Sequence, residues 1–188
     1  MAYRFAIAAA LLLATSAFAG EGAPTGWFTA GSRPSDYLFG TEHVEGSAGK
    51  QSAYIQARPN ASHDGFGTLM QTIKADDYIG QRLRLSARMK TEDAPAFQMW
   101  FRVDGSNNKM LSFYNMQDRP VTGTTGWKQY DIVLDVPPGS TTLNYGFFLQ
   151  GGKGKGWADA TSLTQVDKSV PVSNQTVSRR PVNLGFDQ

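Results

Sequence analysis

The stretch "FQMWFRVDG", Phe97 to Gly105, decides the fold. Successive side chains of a β-strand point to opposite faces, so counting by twos sorts the run into two sets. Phe97, Met99, Phe101 and Val103 share one face, and nothing polar interrupts them. Gln98, Trp100 and Arg102 share the other. The first set closes a core. The second puts an indole between a glutamine and an arginine on the side that meets water. The assignment rests on parity, because a slip of one residue moves the indole to the core side.

The same alternation recurs on both sides of this strand. "RLRLSARMK" (Arg82–Lys90) sends Leu83, Leu85, Ala87 and Met89 inward and Arg82, Arg84, Ser86, Arg88 and Lys90 outward. "KMLSFYNM" (Lys109–Met116) follows a "DGSNN" turn and predicts a hairpin with the opening strand. "WKQYDIVLDVP" (Trp127–Pro137) places Tyr130, Ile132, Leu134 and Val136 together, and "TTLNYGFFLQG" (Thr141–Gly151) does the same with Leu143, Tyr145, Phe147 and Leu149. Shorter strands are predicted at Ser52–Ala57 and Gly67–Ala75, and a closing one at Gly156–Val166. No helical period competes with these patterns. Eight to ten strands between regular glycine and proline turns predict an all-β domain, a sandwich or a barrel. With 20 glycines, 9 prolines and 188 residues, the composition fits one such domain.

The ends read differently. "MAYRFAIAAALLLATSAFA" has an early cation, an apolar run and a small-x-small ending, so residues 1–19 are predicted to be a signal peptide cleaved after Ala19. Its apolar run is shorter than the roughly 20 residues that span a bilayer, and no membrane insertion is expected after cleavage. The domain is then 20–167, and 168–188 is polar and patternless, an expected disordered tail. Export without a single cysteine leaves a core that no disulfide supports and suits a periplasmic or secreted bacterial protein. The leader removes only Arg4 from 18 Lys and Arg against 16 Asp and Glu, which leaves +1. That balance argues against nucleic acid as a partner. The "GGKGKG" loop lacks phosphate-loop spacing.

Four pieces in order carry a resemblance: "GFGTLMQTIKADDYIGQRLRLSARMKTED", "MWFRVDG", "WKQYDIVLDVPPGSTTLNYGFFLQGGKGKGWADATSL" and "PVNLGFD". The run resembles the galactose-binding-domain-like jelly rolls of carbohydrate-binding modules, over roughly residues 26–166. The resemblance implies an all-β jelly-roll β-sandwich of two antiparallel sheets. It implies carbohydrate as the partner class and a structural calcium as the one ion to look for, with no other cofactor. Where relatives often carry an acidic pair after the closing tryptophan, this chain has Trp157-Ala158-Asp159-Ala160, which weakens the calcium expectation. Fold does not fix function, and domains of this look also serve as protein-docking or ligand-sensing modules.

Candidate site residues follow from parity and from loops. Trp100, Arg102 and Gln98, joined by Tyr114 and Ser112 from the next strand, are expected to form a patch of rings and planar polar groups. That combination suits sugars, whose C–H faces stack on rings while their hydroxyls seek hydrogen bonds. Arg84, Arg88, Asn144 and Gln150 are expected to extend it. The alternative is a face roofed by a loop, with Arg102 stacked on Trp100, or a face that docks a protein. Asp118 and Arg119 sit in the longest polar loop, Asn115–Gly126, and read either as a site or as a loop staple. Trp127 and Trp157 are expected to plug the ends of the sandwich, and Trp27 to close an edge. Among Asp36, Glu42, Asp76, Asp77 and Asp159, the candidate metal ligands are Asp159 and Glu42. No nucleophile elbow, carboxylate pair or histidine cluster is recognisable, so an enzyme is not expected.

Overall fold

The computed structural model describes residues 20–173. The predicted leader 1–19 and the tail 174–188 lie outside those residues. Ten strands make up the domain: β1 (Gly20–Glu21), β2 (Phe28–Gly31), β3 (Tyr37–Glu42), β4 (Ser52–Ala57), β5 (Phe66–Lys74), β6 (Arg82–Gly105), β7 (Met110–Tyr114), β8 (Val121–Asp135), β9 (Ser140–Gln150) and β10 (Lys155–Val166). Among the described residues there is no α-helix, only three short 3-10 turns. Every strand pairing is antiparallel.

β6 organises the two layers. The sequence reads Arg82–Lys90 and Phe97–Gly105 as separate strands, but they form one strand of 24 residues. Its first half pairs with β8 and β10, and its second half pairs with β9 and β7. The register against β8 shifts repeatedly between Met89 and Phe97, where Asp93 has φ 47° and Pro95 lacks an N–H. Bulges of this kind bend a strand and let it pass from one sheet to the other. One sheet therefore runs β2-β5-β9-β6-β7, and the other β1-β3-β4-β10-β6-β8. Much of the loop expected before Trp127 is strand, since β8 begins at Val121.

The core lies between the sheets. Leu83, Leu85, Ala87 and Met89 from the first half of β6 meet Phe97, Met99, Phe101 and Val103 from the second, all within 1% exposure. Ile132, Leu134, Leu143, Phe147 and Leu149 complete it. Phe97 stacks on Phe147 at 6.2 Å, and Trp27, partly buried against the core, also stacks on Phe147 at 6.0 Å. Trp127 and Trp157 do not plug the ends. They join Val44, Tyr54 and Leu38 in a second cluster on the outer face of the β4-β10-β6 sheet. The Trp127 indole N–H donates to the carbonyl of Glu45, in the loop that follows β3.

The described beginning of the predicted tail, residues 168–173, lies against the sheet, and the rest of it is outside the described residues. Arg82 Nη1 donates to the carbonyls of Lys168 and Val170, at 2.5 and 2.6 Å. Ser173 N donates to Val133 O, and Val133 N to Ser173 Oγ. The backbone of β8 at Val133 is free on the side away from β6, and the chain uses it.

Candidate functional site

The outer face of the β5-β9-β6-β7 sheet carries an open cleft of about 690 Å³. Register fixes what lines it. Thr68 on β5 lies opposite Phe148 on β9, which lies opposite Gln98 on β6. One row along, Met70, Gly146 and Trp100 are aligned, and one further, Thr72, Asn144, Arg102 and Phe113. Phe66 and Gln150 form the row on the other side.

These rows set four rings on a diagonal. Phe66, Phe148, Trp100 and Phe113 sit on β5, β9, β6 and β7, each one strand over and two residues along from the last. With strands about 4.8 Å apart and two residues spanning about 6.7 Å, each step is about 8 Å and the line about 25 Å long. Phe66 and Phe148 touch edge to face at 5.7 Å. On one flank run the amides of Gln150, Gln98 and Asn115, and on the other Thr68, Gly146 and Arg102.

Trp100 lies along the floor. Its Nε1 donates to Thr68 Oγ1 at 3.0 Å, two strands away, and this places the indole across β9 at Gly146. The glycine is required there. A Cβ would stand 2.2 Å from Leu69 O and 2.8 Å from Met70 Cα. Thr68 in turn donates to Phe147 O. Gln98 faces the cleft but is only 3% exposed, since its Nε2 donates to Asn115 O at 2.9 Å. Arg102 donates from Nε to Asp104 Oδ2 at 2.9 Å, and its Nη2 lies 2.8 Å from the same oxygen. Asn144 Nδ2 donates to that oxygen as well, and Asn144 Oδ1 accepts from Thr72.

The remaining predicted residues lie elsewhere. Tyr114 is opposite Phe101 and therefore on the core side of β7, while Phe113 takes the cleft position expected for it. The cause is the turn. Ser106–Asn108 with Asn107 and Asn108 at positive φ, then a register shift at Val103/Asp104, reset the parity of β7. Tyr114, Asp118 and Arg119 form a separate cluster. Tyr114 Oη donates to Asp118 Oδ1 at 2.6 Å, Arg119 Nε donates to Tyr114 Oη, and Arg119 Nη2 donates to Asp131 O. Burial, then the Asp118 carboxylate, pushes the Tyr114 hydroxyl up, and the Tyr114 hydrogen bond holds Asp118 below the usual carboxylate range. This ties the loop after β7 to β8. Arg88 is on the other sheet, stacked over Trp127 at 5.6 Å and donating to Gly46 O. Arg84 shares that sheet, opposite Val133 and Thr164.

Asp159 and Glu42 do not make a metal centre. Asp159 Oδ2 accepts from the amides of Ala48 and Gly49. Glu42 Oε1 accepts from Trp157 Nε1 and pairs with Lys155 Nζ at 2.7 Å. The lysine supplies Glu42 with its cation, and no cluster of three or more His, Cys, Asp or Glu suited to a metal occurs among the described residues. These residues do not fit a structural calcium.

Phe66 and Phe148 are cleft residues that do not figure among those expected from the sequence. Phe148 was within reach, because the alternation that sends Phe147 inward sends Phe148 outward.

No protein-family profile matches the chain. It is 40% identical over 168 residues to a Bacillus subtilis protein described as the uncharacterized HTH-type transcriptional regulator YbfP, covering 87% of this chain and 57% of that one. The chain thus spans little more than half the length of this curated relative. Among solved structures, tailspike protein 4 of bacteriophage CBA120, described as its enzymatically active domain, superposes with a TM-score of 0.58 at 14% identity over 76% of this chain and 20% of that one. The CBM22-1 xylan-binding domain of Paenibacillus barcinonensis Xyn10C superposes with a TM-score of 0.51 at 15% identity over 80% of this chain and 94% of that one. At such identities the likeness concerns the fold: this chain folds as a jelly-roll β-sandwich of the kind found in carbohydrate-binding modules.

Proposed function

We propose that the cleft binds an extended carbohydrate chain without cleaving it, and that the protein is exported to the periplasm or beyond. The observation that carries this reading is the diagonal of Phe66, Phe148, Trp100 and Phe113 between two polar flanks. Rings spaced along about 25 Å suit a polymer that offers a C–H face and a set of hydroxyls at every repeat. The fold shared with a xylan-binding domain supports the same class of ligand. A non-catalytic role is supported by the lining, which contains no carboxylate, whereas glycoside hydrolysis ordinarily uses two. The apolar leader supports export.

Affinity electrophoresis in gels containing soluble polysaccharides tests the reading, with Trp100→Ala as the paired control. Retardation of the wild type and its loss in the variant support it. Migration unaffected by every polymer removes it, and a fall in polymer mass on incubation replaces it with an enzyme.

A second reading is a ligand-sensing or protein-docking domain. The identity to a protein named as a transcriptional regulator favours it, because the described residues hold no α-helix and hence no helix-turn-helix. The part of YbfP that this chain matches would then be its sensory portion. A short free oligosaccharide or other small solute that shifts the melting temperature, with no polymer retained, selects this alternative.

A further inference from the structure

The cleft contains one ionisable side chain, Arg102, and that charge is answered from below. Asp104 is 2% exposed, on the same strand face two residues on, and its Oδ2 accepts from Arg102 Nε and Asn144 Nδ2 while lying 2.8 Å from Arg102 Nη2. Asn144 is fixed in turn by Thr72. The guanidinium is thereby held in one orientation, and the rest of the lining is apolar, amide or hydroxyl. We infer that Asp104 sets the charge selectivity of the cleft. It makes Arg102 a fixed hydrogen-bond donor to neutral hydroxyls and denies it to acidic ligands such as uronate chains. The inference rests on the carbohydrate reading and names the class of carbohydrate.

Two consequences of the geometry support it. A ligand carboxylate on Arg102 meets a guanidinium whose Nε–H already goes to Asp104 and whose Nη2 lies 2.8 Å from the same oxygen, with a buried anion beside it. A neutral hydroxyl meets no such repulsion and needs one oriented donor. Asp104 is therefore a positioning residue. It does not line the cleft, and it acts through Arg102.

The test uses the full chain and Asp104→Asn. Asp104 Oδ1 takes no donor among the described residues, so an asparagine can keep its carbonyl at the Oδ2 position and both hydrogen bonds it accepts there, losing only the charge that pairs with Arg102. Affinity gels are cast with a neutral panel (xylan, mixed-linkage β-glucan, galactan) and with polygalacturonate. The wild type is expected to be retained by a neutral polymer, with less than about a twofold change between low and high salt, and to ignore polygalacturonate. Asp104→Asn is expected to gain retention on polygalacturonate that high salt abolishes, a gain that a merely structural role cannot produce. Wild-type protein that prefers polygalacturonate in a salt-sensitive way overturns the selectivity while leaving glycan binding in place. Retention by none of the polymers overturns both. A folded Asp104→Asn variant indistinguishable from wild type removes Asp104 from the role. Should that variant not fold, as judged by circular dichroism, Arg102→Gln replaces it: it must weaken neutral binding about tenfold, and unchanged binding refutes the inference.

Discussion

Trp100→Ala separates binding from stability, because the indole lies at a surface and not between the sheets. Its one polar bond is the donation to Thr68 Oγ1, and Thr68 keeps its own donation to Phe147 O when the indole is gone. The stability cost is therefore expected at about 1–2 kcal/mol, below the 3–5 of a buried aromatic truncation. The affinity cost is larger. An aromatic side chain carries about 150–250 Å² of surface, and a sugar stacked on one indole face covers about 80 Å² of it. At about 25 cal/mol per Å² that is about 2 kcal/mol, or a roughly thirtyfold rise in Kd. Tyr114→Ala is the matched contrast. It removes a ring from the Asp118–Arg119 cluster on the core side of β7, and it should change Kd by less than about twofold. Titration calorimetry against a soluble polymer that retards the wild type gives the two constants, and urea denaturation gives the stabilities. Equal affinity losses for the two variants, or a Trp100→Ala loss under about threefold, would refute the diagonal as the binding line.

Gly146→Ala is expected to destabilise the protein by about 3 kcal/mol, since the added methyl meets the main chain of β5 at Leu69 and Met70; a urea midpoint within error of wild type would contradict this. Asp135 is held below the usual carboxylate range by the Arg82 hydrogen bond, so its contribution to stability is present above the unfolded carboxylate value and lost as pH falls through the lowered folded value. Melting temperatures of wild type and Asp135→Asn should accordingly differ at neutral pH and converge toward pH 2, and parallel curves would show the pair to be inert. Chelation with EDTA should leave the melting temperature unchanged, because Lys155 already serves Glu42 and two amides serve Asp159; a drop of several degrees would reveal an ion.

The sheet face was legible wherever one parity alone was apolar. Phe97, Met99, Phe101 and Val103 alternate with polar partners apart from Trp100, and the structure keeps all four inside. β7 offered no such contrast. Met110, Leu111, Phe113 and Tyr114 put apolar groups on both parities, so the face each takes was left to the turn. Two asparagines at positive φ and a one-residue shift decided it, and neither is visible as a hydrophobic pattern. The diagonal was illegible for a related reason. Each ring belongs to a different strand, and only the registers of three separate pairings bring them into line. Arg88 was misplaced because β6 is continuous, and the strand carries its two halves into different sheets.

That continuity also explains why the cleft is built before any ligand arrives. Trp100 and Arg102 stand on the second half of a strand whose first half is packed through Leu83, Leu85 and Met89 into the core. Each polar group on the floor already has a partner within the chain: the indole in Thr68, the Gln98 amide in the Asn115 carbonyl, the guanidinium in Asp104. A ligand then meets side chains that have little rotamer freedom left to lose, and it avoids about 0.5–1.5 kcal/mol for each one it would otherwise have to order. The rings at the two ends, Phe66 and Phe113, are the more exposed pair at 36% and 38%. Affinity should therefore climb as a chain lengthens to reach them and level off once it spans the line.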